Sequence, residues 1–328
     1  MIKHSLGNSG LAVTRLGLGL AALGRPGYIN LGHGADLNHD YDAAAMQTYA
    51  HQVLDAAWNL GIRSFDAARS YGQAEKFLGT WLTARHIDPT QITVSSKWGY
   101  TYTADWQVQA EKHEVKEHSL AVLQRQIGES RTLLGNYLKL YQIHSATLES
   151  GVLENRAVLD ELARLRDGGL HLGLSLSGPQ QAETLAKALT IRYEGELLFA
   201  AAQVTFNLLE TSISAAATEA HAAGMGIIIK EALANGRLTS RNGDPAFAQQ
   251  KAQLEEIAAA HHTTLDALSL AFVLAQPWVD VVLSGATTAE QVQSNAAALD
   301  LHLTLADFPT LAEPPAHYWA TRSQLAWN

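Results

Sequence analysis

Short, mainly apolar runs alternate with longer stretches of helical periodicity along almost the entire chain. The apolar runs lie at 15–20, 62–66, 91–97, 139–144, 170–174, 201–204, 226–230 and 279–283 and read as eight strands. Between and after them, segments at 43–60, 74–85, 117–134, 152–167, 179–190, 212–223, 246–261, 265–276 and 288–299 read as helices. Gly168-Gly169 and Gly224 supply the expected helix stops. Strands alternating with helices predict parallel βαβ units. Eight of them, each strand apolar on both faces, predict a (β/α)8 barrel of the TIM type rather than an open sheet.

Three stretches fall outside this alternation. Residues 1–14, with turn-forming Gly7-Asn8-Ser9-Gly10, predict a hairpin ahead of the barrel. Residues 21–42 and 99–116 predict long loops after strands one and three, the second carrying Tyr100, Tyr102 and Trp106. Both loops leave the C-terminal ends of strands, where barrel enzymes build their sites. The tail, 306–328, holds Tyr318, Trp319 and Trp327 and is expected to pack on the side of the barrel. No linker interrupts the chain, so 1–328 reads as one domain.

Three consecutive runs, the second to the fourth, each end on a polar residue: Asp66, Lys97 and His144. Neighbouring barrel strands bring these ends together, and Tyr71, five residues past Asp66, can fold back over the mouth. A phenol keeps its proton at neutral pH, with a reference pKa of ~10. A neighbouring ammonium favours phenolate, so Lys97 is expected to lower that value and make Tyr71 a better acid and base. Asp66 would hold the amine charged, and a neutral His144 would donate a hydrogen bond to a carbonyl oxygen. General acid catalysis of this kind contributes ~10²–10⁴-fold. A carbonyl therefore also needs a hydride donor, and the inference is a nicotinamide cofactor.

Phe65-Asp66-Ala67-Ala68-x-x-Tyr71-Gly72-x-x-Glu75, Ser96-Lys97-Trp98 and Gln142-Ile143-His144, in that order, resemble the aldo-keto reductases over roughly residues 10–305. The resemblance implies catalytic roles: Tyr71 gives the proton, Lys97 tunes it, Asp66 anchors Lys97 and His144 orients the substrate. It also implies NADP(H) as cofactor, with NAD(H) an alternative. Gly19 and Leu20 would lie under the nicotinamide, and Ser175 and Gln203 would bond its carboxamide. Leu176 stands where the family often has Asn, and Lys230 where it often has a stacking aromatic.

The turn after the last strand starts a helix at Thr288, with Gln291 three residues on as in a capping box. Unpaired N–H groups there suit a phosphate. Gly285, Thr287, Gln291 and Asn295 resemble the family's segment for the adenosine end. Relatives selective for NADP carry Arg or Lys in this stretch; 283–295 has neither, which weakens discrimination for a 2′-phosphate. Gly17-Leu18-Gly19 opens no helix and is not a dinucleotide fingerprint. Trp98 and Tyr100 are candidate substrate-pocket residues.

The composition removes several other readings. Net charge is −9 with no run of Lys or Arg, which argues against nucleic acid. There is no cysteine, hence no thiolate chemistry or Cys-bound metal. His261-His262 and the pair His113 and His118 lack zinc partners and read as solvated helix positions. Neither a signal peptide nor a run of eighteen apolar residues is visible, so the expected place is the cytoplasm, with no membrane partner. Oligomeric state is not readable. The expected partner is a small carbonyl or alcohol, possible sugars included. Two rivals are a cofactor-binding regulatory subunit of the same fold with little turnover, and an isomerase or lyase using Lys97 as a Schiff-base amine.

Overall fold

The computed structural model describes residues 1–328. Eight parallel strands close into a barrel in chain order: β1 (Leu16–Gly19), β2 (Ser64–Asp66), β3 (Thr93–Trp98), β4 (Leu138–Ala146), β5 (His171–Leu176), β6 (Ala201–Thr205), β7 (Gly226–Lys230) and β8 (Val281–Ser284). β8 pairs with β1 through Val282–Leu16 and Ser284–Leu18, which completes the ring. The expected (β/α)8 barrel is the observed fold.

Helix starts fall where side chains satisfy free backbone N–H groups. Ser119 caps the helix Leu120–Leu134 and Asn155 caps Arg156–Asp167, so both begin a few residues later than the periodicity predicts. Most of the apolar core lies between the strands and these surrounding helices. The N-terminal hairpin pairs Lys3–Ser5 with Ala12–Thr14. Its Leu6, Leu11 and Val13 pack on Leu140, Ala201, Ile228 and Val281 and fill the N-terminal end of the barrel. Chemistry is thereby confined to the opposite end. No single helix is long and apolar enough to cross a membrane.

Three expectations need correction. The loop 99–116 contains a second hairpin, Tyr100–Tyr102 with Glu114–Lys116, and the loop 21–42 contains the short helix His33–Asp36. The tail holds a helix, Pro315–Ser323. Its Tyr318 and Trp319 pack on the side of the barrel with Leu208, Leu238 and Leu268, as expected. Beyond them, however, Arg322, Leu325 and Trp327 turn back to line the cavity at the mouth. Asn328 is anchored there, donating to the Asn30 carbonyl at 2.9 Å.

Candidate active site

Strand alternation sorts the side chains of β3. Ser95 and Lys97 point into the barrel, where both meet Asp66, while Ser96 points outward to Glu75. Lys97 is fully buried. Its ammonium is ion-paired with Asp66 Oδ2 and donates to the Ala67 carbonyl at 3.0 Å and to Tyr71 Oη at 3.3 Å. Asp66 Oδ1 accepts from Ser95 Oγ at 2.6 Å and from the amides of Gln142 and Gln203, each at 3.1 Å. With this many donors around it, the carboxylate is fixed in place and positions the amine in turn.

Tyr71 reaches the mouth because two chain segments touch without side chains. A Cβ at Gly24 would lie 2.2 Å from the Tyr71 carbonyl oxygen. One at Gly72, where φ is +59°, would lie 2.4 Å from the Gly24 carbonyl oxygen. Glycine is required at both positions. The contact also sets the buried Arg25 over the phenol, 5.4 Å from the ring centroid. Arg25 stacks on Tyr28 and Trp327 as well and pairs with Glu114 at 3.1 Å.

The electrostatics of Tyr71 run opposite to the expectation. Burial, followed by the charge of Asp66, raises its pKa well above 10, with Arg25 opposing. These raising effects prevail although the Lys97 ammonium lies 3.3 Å from the phenol oxygen. Tyr71 is therefore a fully protonated phenol at neutral pH.

His144 is aimed by a bulge. The β4–β5 register slips between Ile143 and Ala146, and Ser145 takes a left-handed φ of +49° while its N–H donates to Ser175 Oγ at 2.8 Å. The imidazole lies edge-on to Tyr71, centroids 5.5 Å apart, with Nδ1 3.3 Å from Ser70 Oγ. Burial, then the cations Lys97, Arg25 and Lys230, push its pKa well below 6.5, so it is neutral. His118, expected on a solvated helix, is instead wedged between Trp98 and Tyr100, with Nε2 donating to the His144 carbonyl at 2.8 Å. Burial outweighs that hydrogen bond and lowers its pKa to about 4. His113 likewise lies off any helix and stacks on Trp327 at 3.7 Å.

These groups meet at a cavity of about 510 Å³, within the ~300–1,000 Å³ usual for cofactor sites. Tyr71, Asp66, His144 and Tyr100 line one end. The cavity continues past Gly19, Gln203 and Lys230 to Gly285, Thr287, Gln291 and Asn295. Four predicted residues lie off its walls. Trp98 is fully buried against His118, Leu20 is in the core, Ser175 accepts from Ser145, and Lys97 sits behind Tyr71 and Asp66. The last position leaves a Schiff base at Lys97 without support. Lys230 Nζ donates to Thr205 Oγ1 at 2.7 Å, and burial lowers its pKa to about 8 despite Glu231.

At the far end Thr288 caps the helix Ala289–Ala296, accepting from Gln291 N–H. The reciprocal half of the capping box is absent: Gln291 Oε1 accepts from Thr287 N–H at 2.8 Å instead. Asn295 Nδ2 bonds Ser284, while its buried Oδ1 has no partner and suits a ligand donor. Sequence reading missed three contributors to these walls. Arg25 was visible as the lone Arg or Lys among residues 15–62 other than Arg15 itself, but Asp36 and Arg241, which pair there, gave no local signal.

Known proteins resemble this chain over most of its length. The aldo/keto reductase family model matches residues 15–313. A pyridoxal 4-dehydrogenase from Microbacterium luteolum is 25% identical, covering 89% of this chain and 91% of its own. An NADH-specific methylglyoxal reductase from Escherichia coli is 26% identical, covering 95% and 98%. The structure of an aldo-keto reductase from Bacillus halodurans in its holo form superposes with a TM-score of 0.71 at 20% identity, covering 98% of this chain and 96% of that one. This chain belongs to the aldo/keto reductase family, whose members are oxidoreductases acting on carbonyls and alcohols.

Proposed function

We propose that the protein reduces a small aldehyde or ketone, or oxidises the matching alcohol, with a nicotinamide dinucleotide, and that Tyr71 exchanges the proton. The observation that carries this is the meeting of a protonated phenol and a neutral imidazole on one cavity wall, backed by a buried Lys97–Asp66 pair. Gly19, Gln203, Lys230, Gly285, Thr287, Gln291 and Asn295 would hold the dinucleotide; the unpartnered Asn295 Oδ1 and the cavity volume fit such a group. When bound, it supplies the hydride that reaches the carbonyl carbon.

The chain's own residues do the rest. His144, neutral, donates a hydrogen bond that positions the carbonyl oxygen beside Tyr71. Tyr71 gives its proton as negative charge builds on that oxygen, which makes the oxygen basic enough to take it from a phenol of raised pKa. The phenolate left behind faces the Lys97 ammonium 3.3 Å away, which stabilises it until it is reprotonated. Tyr28, Tyr100 and Trp327 wall the reacting end and limit water there. Residues 1–328 act as one unit in this reading, in the cytoplasm, with no nucleic-acid or membrane partner.

The test is a panel of small aldehydes and ketones with NADH and NADPH, using wild type and Tyr71→Phe. Steady turnover is expected from wild type. The variant should lose ~10²–10⁴-fold in kcat and bind dinucleotide normally. Full activity in Tyr71→Phe would overturn the assignment.

A further inference from the structure

The end of the cavity remote from Tyr71 carries a device that the β8 turn alone does not contain. Asp36, on the short helix after β1, reaches across to that turn. Its Oδ2 accepts from Thr287 Oγ1 at 2.6 Å and from Gln291 Nε2 at 3.0 Å. Arg241 clasps the same carboxylate with both terminal nitrogens, at 2.7 and 2.5 Å. Asp36, Arg241, Thr287 and Gln291 all line the cavity. Asn295, 2% exposed, also lines it and leaves its Oδ1 unpartnered.

Arg241, the Thr287 hydroxyl and the Gln291 amide are the donor types that hold a phosphate monoester. Here an internal carboxylate takes all three. Asp36 is also held in place from behind. Tyr49 Oη donates to its carbonyl at 2.9 Å, Leu31 N–H donates to the Asn235 carbonyl at 3.1 Å, and Asn328 grips Asn30. Burial pushes the Asp36 carboxyl up, but bonds from Arg241, Thr287 and Gln291 outweigh it and leave the pKa below 3.8, so the group is charged at neutral pH. Asp266 lines the same end, so two carboxylates face one guanidinium. A phosphate monoester would bring about −1.5 to −2 charge into that field. A ribose with free hydroxyls would bring none and could donate to the carboxylate, as acidic residues do in other dinucleotide sites.

We propose that Asp36 makes this site selective for NAD(H) over NADP(H), by occupying the donors a 2′-phosphate needs and repelling its charge. This rests on the nicotinamide reading above, and it reverses the NADP(H) expectation drawn from resemblance.

The test is binding, with no turnover required. NADH and NADPH are titrated into wild type, Asp36→Asn and Asp36→Ala, followed by quenching of tryptophan fluorescence. Competition by AMP and by adenosine 2′,5′-bisphosphate on wild type supplies a second arm that needs no variant. Wild type should bind NADH about tenfold tighter than NADPH, and AMP tighter than the bisphosphate, since the 2′-phosphate finds its charge-assisted donors already taken. Both variants should erase most of that ratio, chiefly by gaining affinity for NADPH. NADPH binding as tightly as NADH to wild type, or an unchanged ratio in the variants, would overturn the role of Asp36 and leave the proposed function standing. Failure of wild type to bind either dinucleotide would overturn both.

Discussion

The two ends of the cavity are built from different materials. At the proton end, Asp66, Lys97 and His144 are delivered by the ends of β2, β3 and β4, and register between neighbouring strands fixes their meeting. At the remote end, Asp36 and Arg241 lie 205 residues apart in the chain and pair through their side chains, and Asp36 bonds the Thr287 and Gln291 side chains after β8. A strand end is held by backbone pairing on both sides, so altering its polar residue breaks chemistry and folding together. A loop-borne ion pair can change with little cost to the barrel, so that end is where selectivity is free to vary.

This contrast sets the order of expected effects. Tyr71→Phe should be the largest in activity, ~10²–10⁴-fold in kcat with dinucleotide affinity unchanged. Asp66→Asn should be severe in a different way. It strands the buried Lys97 ammonium, and breaking a buried pair costs ~3–5 kcal/mol, so urea unfolding should shift to lower denaturant while activity falls. Asp36→Asn should leave the urea midpoint close to wild type and change the NADH/NADPH affinity ratio by about tenfold. If Asp36→Asn unfolds the protein as readily as Asp66→Asn does, the contrast between the two ends fails.

A further effect, on stability rather than activity, concerns pH. The folded-state pKa of His118 is about 4, below the ~6.5 of an unfolded chain. Between these values the unfolded state takes up a proton that the folded state rejects. Stability is therefore complete above pH ~6.5 and lost as pH falls toward ~4, by up to ~1.4 kcal/mol per pH unit for this group. His144, also depressed, adds in the same direction. His118→Gln should flatten the fall of the urea midpoint between pH 6.5 and 4.5; an identical slope would remove His118 from the account.

The barrel and the proton end were legible because both are written locally. An apolar run needs no partner to be recognised, and a lone Asp, Lys or His at its end stands out against Val, Ile and Leu. Arg25 was half legible, a cation in a Gly-rich loop, but its place over Tyr71 depends on the approach of Gly24 to Gly72. The partnership of Asp36 with Arg241 was not legible, since each alone reads as a solvated surface charge. His118 was misread because a histidine just ahead of a helix resembles an exposed capping position, whereas the hairpin Tyr100–Tyr102 with Glu114–Lys116 folds Tyr100 over it. The rise in the Tyr71 pKa was missed because the sequence places an ammonium nearby without showing how deeply the phenol is buried.

The central claim is that the Tyr71 phenol supplies the proton. Replacing Tyr71 by a fluorinated tyrosine, whose phenol is more acidic, and recording kcat/KM for carbonyl reduction against pH tests it directly. Reduction needs the phenol protonated, and burial holds the native pKa above 10, so wild type should keep its activity through pH 9. The fluorinated enzyme should lose activity at lower pH, its alkaline limb displaced downward with the acidity of the phenol. An alkaline limb at the same pH in both enzymes would contradict the account and assign the proton to another group.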